Sequence, residues 1–339
     1  MYKKAIVAGA VALVVLGALT MFKHSEYRIT FKGQAETAWS AWKSQFNKTY
    51  GGPEEKVRFN IFKKNHKLVQ LHNANPNKKY TVALNQFADL TNKEFATIYT
   101  GAKKPEGKTY CDAPEEMLSV RAAPDTLDWR TQGRVSPVKN QGQCGSCWSF
   151  STTGALEGLA AAQTGTVPTL SEQELVDCST YTGNQGCNGG WVQWAFQYVL
   201  DNGGIASEAD YPYKAVDQTC KNSTKKAFTG LNGCVNVATQ SADALKEALQ
   251  NGPVSVYIEA DQWSFQMYSS GVYDNSDCFA DGQIDHAVLA VGYTKDAWIV
   301  KNSWGTSWGE KGYIQISSAD TTDKNGICGI LSTAYPRPL

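Results

Sequence analysis

Residues Gln141–Trp148 read Gln-Gly-Gln-Cys-Gly-Ser-Cys-Trp, and this stretch carries the strongest evidence for the fold. It places one thiol, Cys147, at the start of a predicted helix and a second thiol, Cys144, three residues earlier. A helix N-terminus favours negative charge and therefore the thiolate, which is the nucleophilic form of cysteine. The stretch predicts a sulfur nucleophile at the head of a helix.

The two parts of the chain differ in charge. Residues 1–122 carry 19 Lys and Arg against 10 Asp and Glu, a net of +9, whereas residues 123–339 carry 13 against 22, a net of −9. Opposite charges of this size predict two parts that attract each other, although chance variation of surface charge is the simpler alternative. The sequence has no long Lys/Arg run with interleaved aromatic residues, which argues against nucleic acid as a partner.

The N-terminus has the pattern of a secretory signal. Lys3 and Lys4 precede an uncharged, mostly apolar run of 18 residues, from Ala5 to Phe22. A positive flank followed by such a run predicts a signal peptide over residues 1–22, and an uncleaved signal anchor is the alternative. Either one sends the rest of the chain into the secretory pathway, where disulfides persist. We expect residence in a lysosome, a digestive vacuole or the extracellular space.

Residues 35–100 have helical periodicity. Aromatic residues in the first part follow one another at spacings of three or four, which predicts one apolar stripe made of Trp39, Trp42, Phe46 and Tyr50. The Gly-Gly-Pro sequence at residues 51–53 breaks this pattern, and a second helix is predicted from Glu54 to about Asn73. One arc of about 100° on the second helix carries Glu54, Arg58, Phe62, Asn65, Val69 and Asn73.

The remainder of the chain is predicted to contain helices first and strands second. Residues 101–122 show little periodicity, so we predict an exposed linker that is open to proteolysis. Beyond the linker, helices are predicted at 147–164, 171–178 and 188–202, and strands at 254–258, 287–291, 298–300 and 312–316. This order indicates an α+β fold with segregated elements, and the cleft between the two halves is the expected substrate site.

A cysteine nucleophile needs a base, and the position of the histidines narrows the choice. Of the four histidines in the sequence, His286 is the one that follows the linker. An imidazole must also be oriented through its other nitrogen, and Asn302, within Lys301–Gly305 (Lys-Asn-Ser-Trp-Gly), can supply that partner. Taken alone, His286 or Asn302 would be interpreted as a structural residue with no catalytic role. Together with Cys147, the two residues predict nucleophilic catalysis.

These motifs resemble the papain family of cysteine peptidases and its cathepsin L-like subfamily. Residues 141–148 and 301–305 resemble the segments around the family's catalytic Cys and Asn, and the arc on the second helix resembles an interspersed propeptide motif. Ala83–Asp89 resembles a second propeptide motif, with Ala83 in place of its usual Gly. The resemblance implies a papain-like two-domain fold: a helical left domain, an antiparallel β-barrel right domain and an active-site cleft between them. It further implies a helical inhibitory prodomain at 35–100, an activation linker at 101–122 and a peptidase domain at 123–339.

The resemblance also implies roles for individual residues. Cys147 would be the nucleophile, His286 the acid and base, Asn302 the residue that orients His286, and Gln141 a donor to the oxyanion. Trp304 would shield the His286–Asn302 hydrogen bond from water. The implied substrate-binding residues are Gly189, Gly190, Trp191, Val192, Tyr257, Ala287, Trp304 and Thr333.

The implied function is that of a cysteine endopeptidase made as a zymogen, which cleaves peptide bonds through a thioacyl intermediate. The resemblance implies a pocket for the second residue before the scissile bond, lined by Trp191, Val192, Tyr257, Ala287 and Thr333. Because these side chains are apolar or neutral, they predict hydrophobic residues at that substrate position. Tyr257 is bulkier than the Ala or Val usual at its place, which predicts a shallow pocket. We expect no cofactor and no metal, and we expect a monomer that binds peptide and protein substrates, its own prodomain and cystatin-like inhibitors.

This function has three alternatives. A catalytically silent papain-fold binding protein is the main one, although all four implied catalytic positions are filled. Cys144 and Cys147 could form a redox pair, but the βαβ context of thioredoxin-like proteins is missing. A zinc site would need Cys and His ligands at the spacings of known sites, and the part after the linker has a single histidine.

The nine cysteines leave one pairing open. The resemblance implies the disulfides Cys144–Cys187, Cys178–Cys220 and Cys278–Cys328, with Cys147 free. Cys111 of the linker and Cys234 of the peptidase part remain. We favour two unpaired thiols, with Cys111 discarded on processing, over a Cys111–Cys234 disulfide that fixes the linker to the enzyme.

Overall fold

The computed structural model describes residues 33–104, 110–111, 123–221, 223–319, 324–332 and 335–338, the last four by their backbone alone. The predicted signal peptide, most of the predicted linker and Thr333 lie outside these ranges. The chain divides into two compact units, one up to Gln70 and one from Leu71 onward. None of the helices in the described ranges combines the length and the apolar character that crossing a bilayer requires.

Eight α-helices and nine strands, with four short 3₁₀ helices, make up the regular structure of the described residues. The helices are α1 (33–45), α2 (Gly52–Asn73), α3 (Asn92–Tyr99), α4 (Cys147–Thr164), α5 (Glu172–Cys178), α6 (Val192–Asp201), α7 (Ala242–Leu249) and α8 (Trp263–Gln266). The strands are β1 (Tyr80–Val82), β2 (Leu127–Asp128), β3 (Cys234–Val237), β4 (Val254–Ile258), β5 (Tyr268–Tyr273), β6 (His286–Tyr293), β7 (Ala297–Lys301), β8 (Tyr313–Ser317) and β9 (Tyr335–Pro338).

The first unit contains α1 and most of α2, which pack through aromatic side chains. Trp39 and Trp42 stack 5.2 Å apart, and the ring of Phe62 lies 5.0 and 5.3 Å from theirs. Helix α1 ends at residue 45, so Phe46 and Tyr50 lie beyond it, yet Tyr50 still stacks on Trp39. The predicted stripe is therefore formed by the helix and by the turn that follows it.

Helix α4 is the central helix of the second unit. It packs against α5 and α6 on one side and against β6 on the other, so most of its residues are buried. Gly165 ends it in the left-handed conformation, with φ 77°, and its N–H donates to the carbonyl of Ala161. The bounds predicted for this helix, 147–164, are confirmed.

A seven-stranded sheet forms the other half of the second unit. Its order is β1-β5-β8-β7-β6-β2, and β4 also pairs with β6. The strand pairs are antiparallel except β5 with β8, which run parallel and so depart locally from the expected antiparallel barrel. Strand β6 is buried along its whole length, because α4 covers one face of the sheet. The four predicted strands correspond to β4, β6, β7 and β8.

Two predicted helical regions need correction. Helix α6 begins at Val192 rather than 188, because residues 186–188 form a 3₁₀ turn and Trp191 before it is extended. The segment 35–100 is not helical throughout, because β1 adds to the sheet beside β5. A three-residue strand has no periodicity of its own, so the helical spacing around it gave no indication of this pairing.

Candidate active site

Cys147 is the first residue of α4 and is fully buried. Burial raises the pKa of its thiol to about 12, although backbone N–H groups that approach the sulfur, chiefly that of Ala287, lower it. The thiol is therefore protonated at neutral pH in this form of the chain. The preference for thiolate expected at a helix N-terminus is outweighed here by loss of contact with water.

His286 begins β6 and meets Asn302, which directly follows β7. The ring nitrogen Nε2 of His286 lies 2.9 Å from Oδ1 of Asn302, and the Trp304 indole stacks on the imidazole at 4.6 Å. Burial lowers the pKa of His286 to about 4, against the opposing effect of the Asn302 hydrogen bond. Among the described residues, Nδ1 of His286 has no hydrogen-bond partner, so one ring nitrogen is held and the other is left over.

Gln141 is fixed from both ends of its amide. Its Oε1 accepts a 2.7 Å hydrogen bond from the Ser303 hydroxyl, which orients Nε2. Nε2 donates to the carbonyl oxygens of Cys144, at 2.9 Å, and of Tyr99, at 3.1 Å. The resemblance implied that the Gln141 amide donates to an oxyanion. In this structure one of its two N–H groups donates instead to the carbonyl oxygen of Tyr99.

Residues 101–103 lie along the implied substrate cleft. The N–H of Gly190 donates to the carbonyl of Gly101 at 2.9 Å, and the N–H of Lys103 donates back to the carbonyl of Gly190 at 3.1 Å. The N–H groups of Gly101 and Ala102 both donate to the carbonyl of Asp285 at 2.8 Å. Glycine is needed at 101, because a Cβ there would lie 2.1 Å from the carbonyl oxygen of Gly145.

The implied pocket residues in the described part of the chain gather into one buried cluster. Trp191, Val192, Tyr257 and Ala287 belong to it together with Cys147, and Ala102 joins the same cluster. The Tyr257 ring is stacked flat on the Trp191 indole, with centroids 3.7 Å apart. Its hydroxyl donates to Oε1 of Gln193 at 2.7 Å and accepts from the N–H of Val192 at 3.0 Å.

Gly189 lies at the rim of the same cleft, with φ 115°. A Cβ on Gly189 would lie 2.6 Å from the carbonyl oxygen of Gly101, so a side chain there would collide with the segment 101–103. Gly189 and Gly190, which the resemblance implies as substrate-binding residues, thus both border that segment.

A buried polar cluster that the sequence did not reveal lies directly behind this site. Lys139 donates to Glu157 at 2.8 Å and to Glu172, Ser136 donates to Glu157, and Lys301 donates to Ser136 at 2.9 Å. Burial raises the pKa of Glu172 and lowers that of Lys301 to about 8. We call this cluster the carboxylate–lysine network; its members are Ser136, Lys139, Thr153, Glu157, Glu172 and Lys301. A small cavity connects it to Ala287, Asn302 and Ser303.

Four disulfides are present among the described residues. Three are the pairs that the resemblance implied, Cys144–Cys187, Cys178–Cys220 and Cys278–Cys328, and Cys147 is free. The fourth joins Cys111 to Cys234, so our preference for two unpaired thiols is wrong. The preference rested on the expected loss of the linker, and sequence separation alone cannot show that two distant cysteines meet. Disulfides persist in the secretory pathway and indicate that the chain enters it.

Comparison with known proteins agrees with this geometry. The rat (Rattus norvegicus) protein procathepsin L is 42% identical over 96% of this chain and 97% of its own length. Digestive cysteine proteinase 1 of the lobster Homarus americanus is 45% identical, covering 89% of this chain and 95% of its own. The structure of digestive procathepsin L 3 from the larval midgut of Tenebrio molitor superposes with a TM-score of 0.79 at 39% identity, covering 90% of this chain and 98% of that one.

Fold and site together define a proenzyme of the cysteine protease class. The family model for papain family cysteine protease matches residues 123–336, and the one for cathepsin propeptide inhibitor domain matches residues 39–95. The chain belongs to the papain family of cysteine proteases, as a cathepsin L-like zymogen whose own prodomain is its inhibitor and whose substrates are peptides.

Proposed function

We propose that Cys147 is the nucleophile of this peptidase and that His286 is its acid and base. In this mechanism His286 takes the thiol proton of Cys147, which gives a thiolate–imidazolium ion pair. The thiolate attacks the peptide carbonyl, and as the C–N bond breaks His286 gives that proton to the leaving amine. Water then hydrolyses the thioacyl intermediate, with His286 as the base. Asn302 holds the ring of His286 for both steps, and Gln141 Nε2 with the N–H of Cys147 binds the oxyanion.

One observation carries this proposal: His286 is bonded to Asn302 through one ring nitrogen and keeps the other free among the described residues. The next residue, Ala287, approaches the Cys147 sulfur with its N–H, so the start of β6 and the start of α4 are adjacent. A held imidazole with one unbonded nitrogen beside a buried thiol is what a general base for a sulfur nucleophile requires.

The contacts of residues 99–103 support a direct form of autoinhibition. Tyr99 presents a carbonyl oxygen to Gln141, and Gly101 and Lys103 use the backbone groups of Gly190 that would pair with an extended substrate. These segments therefore fill the positions that a substrate carbonyl and a substrate backbone would take. Cleavage between 111 and 123, near Arg121, would begin the release of the segment. On this proposal 101–122 is the activation linker and 123–339 the peptidase domain, but the linker is not exposed throughout as predicted, because Ala102 and Cys111 are buried.

The pocket supports a preference for small or medium hydrophobic residues at the second position before the scissile bond. Tyr257 fills space with its ring against Trp191, and its hydroxyl is already bonded to Gln193 and Val192. Its polar group is thus satisfied without a ligand, and the wall that it presents is aromatic. Bulky aromatic side chains at that substrate position would have to displace it, which disfavours them.

The relatives named as digestive proteinases support action in a digestive compartment, either a lysosome or digestive vacuole or the extracellular space. The mature enzyme would act as a monomer and would be open to cystatin-like inhibitors, which compete for the same cleft.

The proposal is tested with a library of fluorogenic peptides that vary at the second position, after activation at mildly acidic pH. We expect hydrolysis with a preference for Ala, Val and Leu over Phe and Trp. The variant Cys147→Ala should lose at least about 10⁴-fold in kcat/KM. An epoxide inhibitor should label Cys147 in the processed protein and leave the variant unlabelled. A processed protein that binds peptides but neither cleaves them nor reacts with the epoxide would instead be a silent binding protein.

A further inference from the structure

The disulfide between Cys111 and Cys234 joins two parts of the chain that processing separates. Cys111 lies in the linker before the peptidase domain, and Cys234 begins β3 within it. Both residues are buried, with 7% and 4% of their surface exposed. The carbonyl of Cys111 also accepts a 3.1 Å hydrogen bond from Nδ2 of Asn236. The residue is therefore fixed to the peptidase domain by a covalent bond, by burial and by a hydrogen bond.

Any cut that releases the mature N-terminus falls on the C-terminal side of Cys111. If this is the one cut, the whole prosegment stays attached through the disulfide. If a second cut falls between residues 104 and 111, the inhibitory segment leaves, but a short peptide around Cys111 remains. We infer that the processed enzyme is a two-chain molecule that keeps a linker-derived peptide through the Cys111–Cys234 disulfide, as a permanent part of its structure. This rests on the proposed processing before residue 123.

The retained peptide is connected to the substrate pocket by a chain of hydrogen bonds. Asn236 donates from Nδ2 to Cys111 and accepts at Oδ1 from Nε2 of Gln193, at 3.2 Å. Gln193 in turn accepts from the Tyr257 hydroxyl at 2.7 Å. Because each amide has one donor end and one acceptor end, the carbonyl of Cys111 decides which way both amides point. The peptide thereby orients the group that holds Tyr257.

Covalent attachment makes this contact insensitive to dilution. A peptide held only by one hydrogen bond and a small buried surface would dissociate, whereas a linked one keeps an effective concentration in about the millimolar range. The peptide is therefore expected on every molecule processed without a reductant. It should also act on pocket preference rather than on the reacting atoms, since the hydrogen bonds end at Tyr257 and not at Cys147 or His286.

The first test is mass spectrometry of the processed protein. The proform is processed in acid, free thiols are blocked with iodoacetamide, and the intact mass is measured before and after dithiothreitol. We expect a mature chain heavier by one Cys111-containing peptide, and loss of that mass on reduction. The double variant Cys111→Ser/Cys234→Ser should show no extra mass. The pairs Cys178–Cys220 and Cys278–Cys328 lie within the mature chain, so their reduction releases nothing and serves as an internal control. Wild-type protein without the extra mass would overturn the inference.

Retention of the peptide can be separated from peptidase activity. The inactive variant Cys147→Ala is processed by added pepsin and analysed in the same way. If Cys147→Ala keeps the Cys111 peptide and the wild type has no activity, the proposed function fails while the covalent link stands. If the wild type is active but neither protein keeps the peptide, the link fails while the function stands.

The second test measures pocket preference. For the processed double variant Cys111→Ser/Cys234→Ser, we expect the ratio of kcat/KM for Leu against Ala at the second substrate position to change by about fivefold, the size one hydrogen bond contributes. Asn236→Ala should change the ratio equally, and combining the three substitutions should add nothing further. The ratios of kcat/KM among substrates that differ at the first position before the scissile bond should be unchanged in these variants. An unchanged ratio in both variants would show that the retained peptide does not act on the pocket.

Discussion

Two buried polar regions of the second unit, the carboxylate–lysine network and the active site, differ in whether their buried polar atoms have hydrogen-bond partners. In the carboxylate–lysine network, none of the buried nitrogen or oxygen atoms lacks a partner among the described residues. In the active site, three buried atoms do: Nδ1 of His286, Nδ2 of Asn302 and Nε1 of Trp304. Burial without a partner costs free energy, so the second region is maintained against its own stability.

The two regions also differ in what shifts the pKa values of their charged groups. In the network, counter-charges offset burial: loss of water would lower the pKa of Lys139, but Glu172 and Glu157 raise it above its ordinary value. In the active site burial acts nearly alone, and it drives both Cys147 and His286 towards their neutral forms. The polar atoms of the network therefore bond to one another, whereas three polar atoms of the site have no partner among the described residues.

The largest effect is expected on the reactivity of Cys147. With a thiol pKa near 12, against about 8.5 for free cysteine, the thiolate fraction at pH 7 in the unprocessed chain is roughly 3000-fold lower than that of free cysteine. Alkylation by iodoacetamide should be correspondingly slow and should rise about tenfold per pH unit through the neutral range, because the thiol ionises only far above it. Mass spectrometry of the Cys147 peptide measures the rate, with urea-unfolded protein as the reference. If the alkylation rate of Cys147 in the unprocessed chain reached a plateau below pH 7, the thiol would already be ionised there, and burial would not keep it neutral.

The next effect tests the network through its cation. Lys139→Met leaves two carboxylates buried without that charge and should lower the free energy of unfolding by about 3–5 kcal/mol at pH 8. Loss of Lys139 raises the pKa of Glu172 further, so the folded variant takes up a proton that the unfolded chain does not, and the deficit should shrink as pH falls to 5. Urea unfolding at both pH values measures this in the Cys147→Ala background. The exposed residue Lys214, changed to Met, should alter stability by less than about 0.5 kcal/mol. If the loss of unfolding free energy in Lys139→Met grew as the pH fell from 8 to 5, Lys139 would not be stabilising buried carboxylates.

A smaller effect tests the site through Asn302. Asn302→Ala should lower kcat by about 100-fold, because His286 loses the bond that positions its ring. Its cost in stability should stay within about 1–3 kcal/mol, since the site already contains unbonded atoms. Asn302→Asp keeps the acceptor and should restore part of the activity, while its added charge moves the alkaline limb of the pH–rate profile upward. Equal losses in both variants would mean that the hydrogen bond does not position His286.

Local sequence signals predicted the elements that carry the site. Strand β4 has the predicted bounds, Val254–Ile258, and α4 runs from Cys147 to Thr164 as expected, because the motif around Cys147 and the glycine at 165 mark its two ends. His286 and Asn302 meet across adjacent strands β6 and β7, which are both apolar enough to be recognised. In each case a short stretch of sequence is enough to predict the helix or strand that it forms.

What the sequence did not reveal depends on long-range pairing. Cys111 and Cys234 are 123 residues apart, and nothing near either cysteine indicates the other. Lys139, Glu172 and Lys301 look like ordinary surface charges until the fold brings them together. The contact of Tyr99 with Gln141 involves a backbone carbonyl, which carries no side-chain signal.

Strand β1 gives the prosegment one more role. With Tyr80–Val82 in place, β5 is an interior strand, bonded to β1 on one side and to β8 on the other. When the prosegment leaves, the amide and carbonyl groups along one side of Tyr268–Tyr273 turn towards water. An uncovered strand is a template for self-association. On the proposed maturation, β5 would become an edge strand, and we expect the mature enzyme to associate with itself more readily than the proform.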